Sequence, residues 1–285
     1  MLGKLIKYEW KGLRFPLMIM MIVLAGTMIL TCGVILTINP KLDETLAWYS
    51  VMALMLSIFL YYFGIIGCTL GTTLIVVVRF YKTCYTDQGY LTHTLPVTPH
   101  QLLNSKILTA IFTQLLMIFA IILSIFIILQ VGIHHVFSFI PDYSYAELRH
   151  EFSIVFADIL DSFEDEFGLR LGLYIAYLLF YCIVGVISNV ITLFGCVSLG
   201  QLYAKHRIVG AIAAYFLLQF VMMIIGYITA IPMYTRMLAG TYYDNATVFG
   251  IMSPTMNMSL LTTVLLAVVM YFVNLHMMTK KLNLE

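Results

Sequence analysis

Residues 107–133 read ILTAIFTQLLMIFAIILSIFIILQVGI, and this stretch decides the fold class. No Asp, Glu, Lys, Arg or His interrupts it between Lys106 and His134. As a helix it rises about 40 Å, more than the roughly 30 Å of hydrocarbon in a bilayer. A helix on the surface of a soluble domain carries a charged stripe, and this one has none. Working outward, residues 15–38, 51–78, 171–199, 208–231 and 256–278 repeat the pattern, with His276 the one ionisable exception. Six spans are therefore expected. The composition agrees: 62% hydrophobic and 10% charged residues leave too little polar surface for a water-soluble domain of 285 residues. The basic, apolar start resembles a signal peptide. Its apolar run is too long and lacks a small-residue cleavage site, so it reads as a retained first span.

Charge sets the expected orientation. With the N-terminus inside, 11 of the 15 Lys and Arg fall inside, and Lys41, Arg149, Arg170 and Arg236 fall outside. The positive-inside rule then places both termini in the cytoplasm of a multi-pass plasma-membrane protein. The net charge of +1 gives no sign of nucleic-acid binding. The five cysteines (Cys32, Cys68, Cys84, Cys182, Cys196) have no C-x-x-C spacing and read as small hydrophobes rather than disulfides or metal ligands.

Three segments outside the spans carry information. In 1–14, Lys4, Lys7, Lys11 and Arg14 recur at helical steps opposite Leu2, Leu5, Ile6, Trp10 and Leu13. That pattern predicts an interfacial helix anchored on the lipid of the inner leaflet, with Trp10 at headgroup depth. Segment 79–106 is a long cytoplasmic loop. Within it, Thr98-Pro99-His100-Gln101 reads as a capping arrangement that starts a helix running into the third span. Segment 134–170 contains apolar residues at helical spacing from Leu148 to Phe167 with six acids between them, which predicts an amphipathic acidic helix outside. It either caps an outer pathway or packs against neighbouring loops.

Catalytic motifs are missing. No G-x-x-x-x-G-K-[ST] occurs, and His150-Glu151 fails as a zinc-protease motif because Ile154 stands where the second His belongs. His134-His135 with Asp142 is a weak metal pattern, and the sequon Asn245-Ala246-Thr247 is short enough to arise by chance. Ionisable groups at mid-bilayer are retained for ion coupling, and these spans have none. Their deep polar groups are neutral: Ser188, Asn189 and Gln219, readable either as interhelical hydrogen bonds or as points on a substrate path. Gly64, Gly67 and Gly71 form a small-residue face suited to helix packing. No internal repeat is visible.

The run Arg79-Phe80-Tyr81-Lys82, then Thr86 to Thr92, Thr94 to Val97, Gln101 to Leu103 and Ser105-Lys106, resembles the loop between the second and third spans of ABC-2-type transporter permeases of Gram-positive bacteria. Leu5 to Lys11 is similar to their basic N-termini. The resemblance implies an all-α permease whose 79–106 loop is a coupling element seated on a separate ATPase subunit. Tyr85, Asp87, Gly89, Tyr90, Leu91, Thr92 and Leu95 would make that contact. It further implies two permease chains, as a homodimer or related heterodimer. ATP and Mg would be held by the partner ATPase and no cofactor by this chain. Residues 232–255 would then form a re-entrant outer hairpin broken at Pro232, Gly240, Gly250 and Pro254. Export of an amphipathic or hydrophobic substrate by alternating access is the expected function. A membrane-embedded sensor or assembly protein that binds an outside ligand without transport is the alternative.

Overall fold

The computed structural model describes residues 2–38, 44–86, 89, 97–137, 145–203, 206–238 and 247–280. Among them there are seven helices and no strand: α1 (Leu2–Thr37), α2 (Glu44–Tyr85), α3 (Pro99–Phe137), α4 (Tyr145–Phe167), α5 (Leu171–Gly200), α6 (Arg207–Leu238) and α7 (Val248–Lys280). All but α4 are long and apolar enough to cross a membrane. Their packing is inverted relative to a soluble protein. Leu217 is 71% exposed and Leu56 70%, whereas Asn274, Ser105 and Ser198 are fully buried. In hydrocarbon, exposing leucine costs nothing and exposing an unpaired hydroxyl or amide costs several kcal/mol, so the polar side chains turn inward.

The chain forms two compact units, residues 1–143 and 144–285. In the first, α1 packs along both α2 and α3. Leu17 and Leu24 of α1, Tyr61 and Cys68 of α2 and Met117 of α3 make its core. Two glycines allow the α1–α2 approach: a methyl at Gly64 would press on Thr27, and one at Gly71 on Met20. Gly67 faces open space, so the glycine face expected for packing is used at its two ends only. Polar contacts fix the register. The Thr31 hydroxyl donates to the Ser57 carbonyl at 3.3 Å, and the Tyr61 and Ser124 hydroxyls lie 2.6 Å apart. At the far end His135 donates a ring N–H to the Ile38 carbonyl at 2.8 Å, a structural use of a residue considered above for a metal.

In the second unit α5 is the most buried span, with α6 and α7 packed on it. Helix α4 docks through its last turns. Phe163 and Phe167 stack at 4.1 Å, both rings meet Tyr174, and Phe249 of α7 meets Tyr174 and Tyr177 edge-on. Gly168 ends α4 with φ of 76°, and its N–H donates to the Glu164 carbonyl at 2.8 Å. That left-handed turn is where glycine escapes the Cβ penalty.

The structure corrects several boundaries. Residues 1–14 and 15–38 are not separate elements, because α1 continues through Pro16 as one helix of 36 residues. Breaking it there would strand carbonyls at the membrane edge, which is dearer than the one bond a proline removes. Helix α2 runs on to Tyr85, past the expected end of its span at Val78, whereas α3 starts at Pro99, where the capping arrangement placed it. Thr98 accepts a hydrogen bond from the Gln101 N–H through its side chain at 3.4 Å and from the Leu102 N–H through its carbonyl at 3.1 Å. Pro232 and Pro254, expected to break an outer hairpin, lie inside α6 and α7, and Gly250 lies in the first turn of α7. Gly240 and the first two residues of the sequon, Asn245 and Ala246, fall outside the described residues, while the Thr247 hydroxyl accepts a hydrogen bond from the Gly250 N–H at 3.3 Å.

Candidate functional site

Helices α5, α6 and α7 enclose an open cavity of about 370 Å³. Helical spacing places its lining: Gly185, Ser188, Asn189 and Thr192 from α5, Leu218, Gln219, Met222 and Met223 from α6, and Ser259, Thr263 and Leu266 from α7. Ser188, Asn189 and Gln219 stood out in the sequence as polar groups within apolar spans, and the structure brings all three to this one cavity. Ser188 and Thr192 are buried, while Asn189 and Gln219 are exposed to it. Ser259 and Thr263, one helical turn apart, escaped the sequence reading, although their i, i+4 spacing in an otherwise apolar run was the available signal.

No lining residue is charged. Amides and hydroxyls supply hydrogen bonds without the desolvation cost of an ion, and two adjacent methionines supply adaptable apolar contact. Such a lining, apolar with a few convergent polar groups, suits an amphipathic guest. Around it the helices are tied by neutral hydrogen bonds. The Tyr181 hydroxyl donates to Ser259 at 3.3 Å, and that of Tyr177 to Asn257 at 2.8 Å. Asn274 accepts from Ser198 at 2.6 Å and donates to the Ile191 carbonyl at 3.3 Å, which joins α7 to α5. Asn274 is one of two asparagines in the last apolar run, with Asn257, and no pattern in the sequence singles it out.

The second feature belongs to the first unit. Glu9 of α1 accepts hydrogen bonds from Lys106 Nζ at 2.6 Å and from Arg79 Nε at 3.0 Å. Lys106 Nζ also donates to Thr83 Oγ1 at 2.6 Å. One carboxylate thus joins the basic ends of α1, α2 and α3. The Glu9 and Lys106 side chains are 8% and 3% exposed, and Arg79 is 24% exposed. Arg14, exposed and charged, lies more than one turn further toward the apolar part of α1. This places the cluster at the membrane's edge rather than in its hydrocarbon. The sequence hid it: Glu9 stands among lysines, and its partners are 70 and 97 residues away.

The remaining candidates are distributed as follows. Lys4, Lys7, Lys11 and Arg14 are all exposed. Trp10, expected at headgroup depth, packs edge-on against Phe112 of α3 at 5.0 Å, next to Glu9 in the junction. Tyr85, expected to touch a partner, is 1% exposed and sits against Phe80 and Tyr81. Gly89 is buried and its N–H donates to the Thr86 carbonyl at 2.6 Å. Asp87, Tyr90, Leu91, Thr92 and Leu95 lie outside the described residues.

These features define a class: an all-helical membrane protein with six apolar spans, a neutral cavity in one unit and a buried ionic junction in the other. Comparison with known protein families, curated proteins and solved structures found no match.

Proposed function

We propose that this chain is the membrane-spanning permease subunit of an ATP-driven exporter of the ABC-2 type, moving an amphipathic or hydrophobic substrate such as a peptide or lipid-like compound. The observation that carries the reading is the α5–α6–α7 cavity, which is polar, uncharged and flanked by methionine. Its neutrality argues against proton coupling, which places an acid, base or histidine in the path. The energy source is then a separate subunit, holding ATP and Mg, that docks on the segment between α2 and α3. On this reading both termini are cytoplasmic in the plasma membrane, and two such chains act together. Tyr85 and Gly89, both buried, position the coupling segment and leave the contact itself to Tyr90, Leu91 and their neighbours.

The test is purification from native membranes in mild detergent, scored for a co-purifying ATPase. The expected result is a stoichiometric ATPase that is lost on replacing Tyr90 and Leu91 with alanine while membrane insertion is unchanged. A folded chain that brings no ATPase overturns the reading. The exposed Ile154 and Ile159 of α4, beside Asp158 and Asp161, would then make ligand sensing without transport the leading alternative.

A further inference from the structure

A groove of about 300 Å³ runs between α1 and α2 at their basic ends. Its lining is graded. Pro16, Ile75 and Val78 line one part, and Arg79 and Lys82 line the other. Rising numbers on α1 and falling numbers on α2 both lead into the apolar spans, so the apolar lining lies toward hydrocarbon and the cations toward the membrane surface. An apolar tail below an anionic head is the order of a phospholipid.

Charge and geometry carry the assignment further. Within the cluster, Glu9 offsets one of Arg79 and Lys106, and the exposed Lys82 adds a further cation. The surplus is two positive charges at the head of the groove. The Arg79 guanidinium is held by its Nε on Glu9, and its two terminal nitrogens lie over Gly12, itself a lining residue. Any side chain at Gly12 would overlap that guanidinium, so glycine keeps the space in which the fork rests. A guanidinium fixed through Nε presents its two outer nitrogens as a fork suited to two oxygens of one phosphate.

We infer that the α1–α2 groove binds one anionic phospholipid, its phosphate on Arg79 and Lys82 and its upper acyl chain along Pro16, Ile75 and Val78. The inference rests on α1 and α2 being membrane spans and not on transport. Its test is therefore made on the isolated chain in detergent, where neither a partner ATPase nor sidedness enters. Native mass spectrometry would compare phosphatidylglycerol, phosphatidylcholine and inorganic phosphate as probes. One phosphatidylglycerol should be retained in preference to phosphatidylcholine. An exposed ion pair contributes up to about fivefold, so K82Q should weaken retention by up to about fivefold and R79Q/K82Q more strongly. K82Q removes only an exposed side chain, which keeps the test readable if R79Q impairs folding. Retention unchanged in both variants overturns the site. Equal loss on removing Lys4 and Lys7 overturns it too, because diffuse surface charge would then suffice. Competition by inorganic phosphate as effective as by the lipid would show that the apolar lining contributes nothing, and would overturn the lipid assignment.

Discussion

Replacing Glu9 with alanine should destabilise the first unit more than any surface charge change of the same size. The mutation takes away the carboxylate that lies 2.6 Å from Lys106 Nζ, while the lysine side chain stays 3% exposed. A buried charge left without its partner costs about 3–5 kcal/mol. The lower end applies, because Thr83 Oγ1 still accepts from Nζ at 2.6 Å and the less buried Arg79 can turn to water. The expected loss is about 3 kcal/mol for Glu9→Ala. It falls to about 1–2 kcal/mol for Glu9→Gln, whose amide oxygen still accepts. The double variant Glu9→Leu/Lys106→Met removes both buried charges at similar volume and should return to within about 1 kcal/mol of the parent. The assay is reversible unfolding in mixed detergent–SDS micelles followed by tryptophan fluorescence, with Trp10 on Phe112 beside the mutated residue. An Ala variant as stable as the parent, or a double variant no better than the single, would refute the claim that desolvated charge holds this junction.

Three further outcomes are expected. Gly64→Val should weaken the α1–α2 contact by about 1–3 kcal/mol through overpacking against Thr27, while Gly67→Val, facing open space, should be near neutral in the same assay. Asn274→Leu should cost about 1 kcal/mol or less, because an interhelical hydrogen bond in a membrane is worth little more, and the cost should shrink when Ser198→Ala is present. If the cavity is the substrate path, Asn189→Leu/Gln219→Leu should abolish substrate-stimulated ATPase activity of the assembled transporter and spare its basal rate; stimulation equal to the parent would remove these residues from the path.

What could be read from the sequence follows from the range of each force. Spans are legible because the hydrophobic requirement is local: 107–133 needs no partner to declare itself. The end of α4 was legible for the same reason, through the spacing of Phe163 and Phe167. Ser188, Asn189 and Gln219 stood out because an amide or hydroxyl in an apolar run is conspicuous, and their shared cavity needed only that α5 and α6 be neighbours. Pro232 and Pro254 misled because their rule comes from water, where a broken helix finds solvent for its carbonyls. In lipid the helix continues. Glu9 was not legible, since an acid among lysines looks solvated until α2 and α3 are folded against it.

The location of the charges bears on mechanism. Transporters that couple to protons hold a titratable group in the membrane, along the path the proton takes. Here the buried ionisable groups, Glu9 and Lys106, lie level with the exposed cations Lys7, Lys11 and Lys82 at one end of the first unit. The cavity in the second unit holds only neutral groups. An ionic junction in that place joins three helix ends, two of which, the end of α2 and the start of α3, flank the segment between them. A push on that segment would reach α1 through Glu9 with little slack, since its two bonds are 2.6 and 3.0 Å and largely shielded from water. If the proposed permease reading holds, breaking the junction should separate docking of an ATPase, which would need the segment alone, from coupling of its cycle to the spans, which would need Glu9. Glu9→Gln that binds the ATPase normally yet loses substrate stimulation would support this division, and full stimulation in that variant would show that force reaches the spans by another route.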